Sequence, residues 1–154
     1  MDSPFRIGPA QPSVIKSGTP SVRAMFLDDT SFIVCPFAKT PARRKWAQTF
    51  WETHKGQLWT TAAAFTEASH LIGDPSVAAQ ILPDYHFLLD LEAEKFALAA
   101  LLEKYAPQMD FADATLVRAS ELRPAFKLVT HDRHFAWYRR NQGRDRIPVI
   151  WIPA

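Results

Sequence analysis

The chain of 154 residues is poor in cysteine, poor in glycine and without a long apolar run, and each scarcity removes a class of protein. A single cysteine, Cys35, cannot form an intramolecular disulfide, which points to a reducing cytoplasm rather than a disulfide-stapled secreted scaffold. Five glycines against twelve prolines exclude collagen-like and glycine-rich low-complexity chains. No apolar stretch approaches the ~20 residues that a membrane-spanning helix needs, so no membrane partner is expected. Also missing are a phosphate-cradling glycine loop, a dinucleotide fingerprint and a Gly-x-Ser-x-Gly elbow, which argues against an NTPase, a dehydrogenase and a serine hydrolase. The five histidines lack His-Glu-x-x-His or Cys-x-x-Cys spacing. His131 and His134 are therefore read as surface or substrate-contacting groups rather than zinc ligands.

What is present suits one domain with a real core, since 47% of the residues are hydrophobic. The formal charge is only +2, but its distribution is uneven. Residues 66–113 hold nine acids against Lys95 and Lys104. Bases gather elsewhere: Arg43, Arg44 and Lys45 in one cluster, and Arg133, Arg139, Arg140, Arg144 and Arg146 in another. Such separation suits a polyanion held by basic flanks around an acidic centre, with ordinary solvated charge as the plainer alternative.

Residues 1–24 contain Pro4, Pro9, Pro12 and Pro20 with no hydrophobic period, and predict an extended arm rather than a secretory segment. Residues 25–154 then alternate short apolar runs with helical stretches, the pattern of a mostly parallel sheet with helices on both faces. The expected fold is a three-layer α/β/α sandwich. Expected strands are Ala24–Leu27, ending at Asp28, then Leu58–Thr60, Tyr85–Leu89, Lys127–Thr130 and Pro148–Ile152. Expected helices cover Thr30–Phe37, Ala42–His54, Thr61–Ile72, Ser76–Leu82, Glu92–Tyr105 and Asp110–Leu122. In the fifth of these, Phe96, Ala99, Ala100, Leu101 and Leu102 are read as the apolar face.

Four acids stand out by their surroundings. Asp28 and Asp132 follow apolar strands, and in a parallel sheet those strand ends form one ligand-binding rim. Glu67 lies in a small, apolar helix, and Asp113 sits between Ala112 and Ala114. Carboxylates brought together there would repel one another unless a cation neutralised them, and an all-oxygen donor set suits Mg²⁺ or Mn²⁺. Asp110 fits a helix N-cap as well as it fits a metal ligand. Cys35 is read as core filler rather than a nucleophile.

Four segments in order carry a family resemblance: Phe-Leu-Asp28-Asp29-Thr-Ser-Phe-Ile, Trp-Thr-Thr-Ala-Ala-Ala-Phe-Thr-Glu67, Met-Asp110-Phe-Ala-Asp113-Ala-Thr-Leu-Val, and Leu-Val-Thr130-His-Asp132-Arg-His-Phe135. From Met25 to near Pro148 the chain resembles a PIN domain, closest to the VapC-like toxin ribonucleases of toxin–antitoxin pairs. The resemblance implies a hydrolase that uses Mg²⁺ or Mn²⁺, held by Asp28, Glu67, Asp113 and Asp132, to cleave RNA. The doubled acid leaves Asp29 open as the first ligand in place of Asp28. Thr130 would orient the ligands by hydrogen bonding. Arg43, Arg44, Lys45, Arg133, Arg139 and Arg140 are the candidates for holding the RNA backbone. The resemblance also implies an antitoxin partner and a homodimer, with Trp46 or Trp51 as the contact. Two alternatives stand beside it: a catalytically idle RNA- or partner-binding module of the same fold, and a stand-alone RNA-processing nuclease.

Overall fold

The computed structural model describes residues 24–154. All of the expected arm except Ala24 lies outside the described residues. Along the chain come β1 (Phe26–Asp28), α1 (Thr30–Ile33), a 3-10 turn (Cys35–Phe37), α2 (Pro41–Thr53), β2 (Leu58–Thr61), α3 (Ala62–Ile72) and α4 (Pro75–Ile81). A second 3-10 turn (Leu82–Asp84) leads to β3 (His86–Leu88), α5 (Leu91–Tyr105), α6 (Phe111–Leu122) and β4 (Lys127–Thr130). The chain ends with α7 (His134–Trp137), a hairpin of β5 (Arg139–Arg140) and β6 (Asp145–Arg146), and β7 (Val149–Trp151).

Five strands form one sheet in the order β3–β2–β1–β4–β7, every neighbouring pair parallel. The first strand is thus central, with Leu27 opposite Trp59 on one side and Leu128 on the other. Because successive strand residues point to opposite faces, the sheet feeds two cores. Leu27 and Leu128 pack against Leu98, Leu116 and Tyr138 on one face. Phe26 and Val129 pack against Phe32, Trp51 and Ile81 on the other. The chain is therefore an α/β protein with helices on both faces of a parallel sheet. No helix among the described residues is long and apolar enough to cross a membrane.

Local chemistry sets the helix ends that matter for the site. Thr61 accepts a hydrogen bond from the Ala64 amide at 3.3 Å and starts α3. Gly73 closes it at φ +71°, a conformation that costs glycine little. Asp110 and Asp113 form a reciprocal capping box at the start of α6.

Three expectations need correction. The predicted helix over Thr30–Phe37 is two shorter pieces, α1 and a 3-10 turn, broken at Val34 ahead of Pro36. The hairpin of β5 and β6 was not expected. In α5 the face is only partly right: Leu101 and Leu102 pack against the core as expected, but Leu98 and Tyr105 are the buried residues, Ala99 and Ala100 are exposed, and Phe96 is 81% exposed. The charges Glu92, Glu94, Lys95, Glu103 and Lys104 are spread around that helix, so no apolar stripe in the sequence is unique. The partly buried Glu94, 2.6 Å from Arg118 on α6, lies on the side turned inward.

Candidate active site

The carboxyl ends of β1 and β4 lie side by side, and the residues just beyond them open into a hollow of about 520 Å³. Five acids line it: Asp29 after β1, Glu67 on α3, Asp110 and Asp113 at the start of α6, and Asp132 after β4. A crevice beyond the carboxyl ends of parallel strands is where α/β sheets place ligands.

Asp28, the first choice from sequence, is not among these residues. It is still in strand register with Phe26, so its side chain turns into the core on the α2 side of the sheet. There the Tyr85 hydroxyl donates to Asp28 Oδ2 at 2.9 Å, and Oδ1 has no partner among the described residues. Burial pushes both the Asp28 and Tyr85 pKa values up. One residue later the chain leaves the strand, and it is Asp29 that faces the hollow.

Asp29 is held by three neighbours. The Thr130 hydroxyl donates to its Oδ2 at 2.6 Å, and the Ser31 hydroxyl donates to the same oxygen at 2.9 Å. Its amide donates to the Val129 carbonyl at 3.1 Å, which ties the turn after β1 to β4. Burial raises the Asp29 pKa, the hydrogen bonds from Thr130 and Ser31 oppose that rise, and the nearby charge of Asp132 adds to it. Thr130 Oγ1 also accepts from the Asp132 amide at 2.9 Å, so one hydroxyl sets two of the acids. Asp132 Oδ1 accepts from the His134 amide at 2.9 Å and lies 2.8 Å from His134 Nδ1.

Asp113 is buried at 8% exposure. Its amide donates to Asp110 Oδ1 at 2.8 Å, the Asp110 amide donates back to Asp113 Oδ2 at 3.3 Å, and the Tyr138 hydroxyl lies 3.3 Å from that same Oδ2. Burial first, then the charge of Asp110 and more weakly those of Asp29 and Asp132, push the Asp113 pKa up to about 7. Glu67 also titrates high, from burial and then from the charges of Asp110, Asp29 and Asp132. Its Oε2 is 3.4 Å from Thr30 Oγ1. Asp110 caps α6, and its carboxylate also lines the hollow.

The acids sense one another electrostatically, but among the described residues no three His, Cys, Asp or Glu side chains close into a ready coordination sphere. They line the hollow rather than contract around its centre. The donor set nonetheless fits a hard divalent cation that keeps several of its waters, since Mg²⁺ uses one or two carboxylates directly and reaches others through its hydration shell.

The basic residues divide by location. Arg133 lines the acidic hollow, and its guanidinium carbon is 4.5 Å from the Trp151 ring centre. Arg43 lines an adjoining hollow, where its Nε donates to the Pro153 carbonyl at 3.1 Å. Arg44 donates to the Ala38 carbonyl at 3.0 Å, and Lys45 is exposed. Arg139 faces a different hollow beside Lys104 and Arg118. Arg140 donates to the carbonyls of Ser120 at 3.0 Å and Pro124 at 3.2 Å. Ser120 is about 10 Å along α6 from Asp113, so Arg140 caps the far end of that helix instead of facing the acids.

Trp51 is core, 3% exposed, parallel to Phe32 at 6.5 Å and edge-on to Tyr85 at 5.2 Å. The expectation that it contacts a partner is withdrawn. Trp46 is half-buried, stacked on Phe50 at 5.1 Å. Cys35 is buried, as expected, with its thiol 3.4 Å from the Arg43 carbonyl.

Sequence reasoning missed Ser31 and Tyr138. Ser31 stood in the first of the four quoted segments, two residues after Asp29, and that spacing is a usable signal. Tyr138 reaches Asp113 across 25 residues of chain, for which no local pattern exists. A scan of protein-family models finds no match to this chain, and a search of the curated proteins finds none.

Proposed function

We propose that this chain is a metal-dependent ribonuclease of PIN-like fold that hydrolyses RNA phosphodiester bonds. The observation that carries the proposal is the gathering of Asp29, Glu67, Asp110, Asp113 and Asp132 around one hollow at the carboxyl rim of a parallel sheet. Five carboxylates in one cleft are electrostatically costly without a cation. Under this reading Asp29, Glu67, Asp113 and Asp132, with Asp110, would hold Mg²⁺ or Mn²⁺. When bound, such an ion supplies the charge that activates a water for in-line attack and stabilises the leaving oxygen. Thr130 and Ser31 fix the Asp29 carboxylate, Tyr138 and Asp110 fix that of Asp113, and Arg133 at the lip attracts a backbone phosphate. By the family resemblance, the role is that of the toxin in a toxin–antitoxin pair, with an antitoxin protein and a second copy of the chain as partners.

A second reading, a PIN-fold module that binds without cleaving, is favoured by one observation: no three ligating side chains converge among the described residues. One experiment separates the two. Purified protein is incubated with cellular RNA in Mn²⁺ or in chelator, and the new RNA ends are mapped. Chelator-sensitive ends that vanish in Asp29→Asn support the ribonuclease. RNA binding with no new ends in Mn²⁺ supports the module.

A further inference from the structure

The acidic hollow does not end at its acids. It adjoins a second hollow of about 350 Å³, and the two share Ser31, Val34, Leu71 and His131 as a common wall. Beyond that wall the character of the surface changes, since the second hollow is bounded by Lys39 and Arg43 and contains no carboxylate among its lining residues. One groove therefore runs from an acidic end to a basic end. Its shared wall carries Leu71, which is 61% exposed although it is a large apolar side chain. His131 is exposed beside it.

We propose that this groove holds a single strand of RNA, with one phosphate at the acidic site and a flanking phosphate on Lys39 and Arg43. The inference rests on the ribonuclease reading for the acidic end only. Charge complementarity sets the occupant: a phosphodiester strand is drawn by Lys39 and Arg43 at one end and, at the other, by a cation among the acids. A basic peptide would suit the carboxylates but be repelled at Lys39 and Arg43, and a peptide of either charge lacks the bases that the apolar wall can stack against. The apolar wall sets the strand number. The exposed side chains of Leu71 and His131 offer surfaces to the faces of unpaired bases, and a duplex keeps those faces stacked inside itself. Lys39 and Arg43 thus hold the flanking phosphate, and Leu71 lines the passage between the two ends.

The test uses the full unsubstituted chain in Ca²⁺, a hard cation offered to the acids in place of Mn²⁺ so that a bound strand stays intact, and a fluorescein-labelled oligouridylate as the probe. Anisotropy titrations across a salt series compare it with the same chain carrying Lys39→Glu and Arg43→Glu. A third chain carries Arg144→Glu and Arg146→Glu, an equal change of charge on residues that line neither hollow at the groove. The expected result is a loss of affinity of about tenfold or more in the groove variant alone. Its salt slope should be shallower by ~0.7, the value for the one single-strand phosphate that Lys39 and Arg43 no longer neutralise. Leu71→Glu, at an exposed site where the fold tolerates charge, should weaken binding with an unchanged melting temperature. Equal losses in the two charge-reversed chains, no loss in the groove variant, or no binding by the parent chain would each overturn the proposal. Cleavage by the unsubstituted chain in Mn²⁺ is scored separately. Groove-dependent binding without cleavage retires the ribonuclease reading and keeps the groove, whereas cleavage with groove-independent binding retires only the groove.

Discussion

Thr130 Oγ1 donates to Asp29 Oδ2 at 2.6 Å across 101 residues of chain, and the same oxygen receives the Asp132 amide at 2.9 Å. The parallel pairing of β1 with β4 makes this possible, because Asp28 and Val129 are register partners and the next residue of each strand meets at the rim. A hydroxyl can donate one bond and accept others, so Thr130 orients an acid from each strand at once.

Replacing that hydroxyl by a methyl group of the same shape isolates its role. Thr130→Val should destabilise the chain by ~1–3 kcal/mol, since the buried Asp29 carboxylate loses a donor and the Asp132 amide an acceptor. Thr130→Ser should restore most of the loss. Urea unfolding measures the stability, and Mn²⁺-dependent cleavage should fall and recover in parallel. Equal stability of the valine and serine variants would contradict the bond's importance.

The adjacent acids Asp28 and Asp29 should behave oppositely. Asp29→Asn removes a charge from the hollow, and calorimetric titration with Mn²⁺ should register a clear loss of affinity. Asp28→Asn changes a carboxyl buried against Tyr85 and should leave Mn²⁺ affinity as it was. Loss of Mn²⁺ binding in Asp28→Asn with retention in Asp29→Asn would return the ligand role to Asp28.

The metal-free chain should lose stability as pH rises. Asp113 titrates at about 7 in the folded chain against 3.8 for an ordinary aspartate, and Asp29 and Glu67 are also raised. A raised carboxyl takes up its proton more readily when folded, so its favourable contribution is full below the ordinary value and disappears through about pH 7. In chelator, melting temperatures at pH 5 should exceed those at pH 8, and Asp113→Asn should narrow the gap by stabilising the pH 8 sample. Adding Mn²⁺ should raise the melting temperature most at pH 8. A gap that survives unchanged in Asp113→Asn would remove Asp113 as its source.

Two substitutions test residues that the structure moves from binding to architecture. Trp51→Ala should cost ~3–5 kcal/mol in urea unfolding, the range for emptying a large aromatic site in a core. Arg140→Gln should cost ~1 kcal/mol by removing the donor to the carbonyl of buried Ser120, with oligouridylate affinity unchanged. A drop in RNA affinity without a drop in stability would put Arg140 back at the RNA.

The amino-acid sequence alone determined the alternation of strands and helices, because apolar periodicity and helix caps are local. It also marked Glu67, Asp113 and Asp132, each an acid in apolar or strand-end surroundings where a carboxylate needs a reason. Asp110 was legible as a cap because its partner is three residues away. Tertiary structure decided the rest. Asp28 and Asp29 differ by one residue, and only the point at which β1 leaves the sheet determines which side chain is buried against Tyr85 and which faces the hollow. The exposure of Phe96 beside the inward Leu101 and Leu102 on α5 depended on partners such as Arg118 from another helix, and the burial of Trp51 on Tyr85, 34 residues later in the chain. Arg140 looked like its exposed neighbours until α6 presented it with free carbonyls. The groove from the acids to Lys39 and Arg43 exists only where α1, α3 and the segment after β4 meet, since its residues are distant in the chain and no local pattern links them.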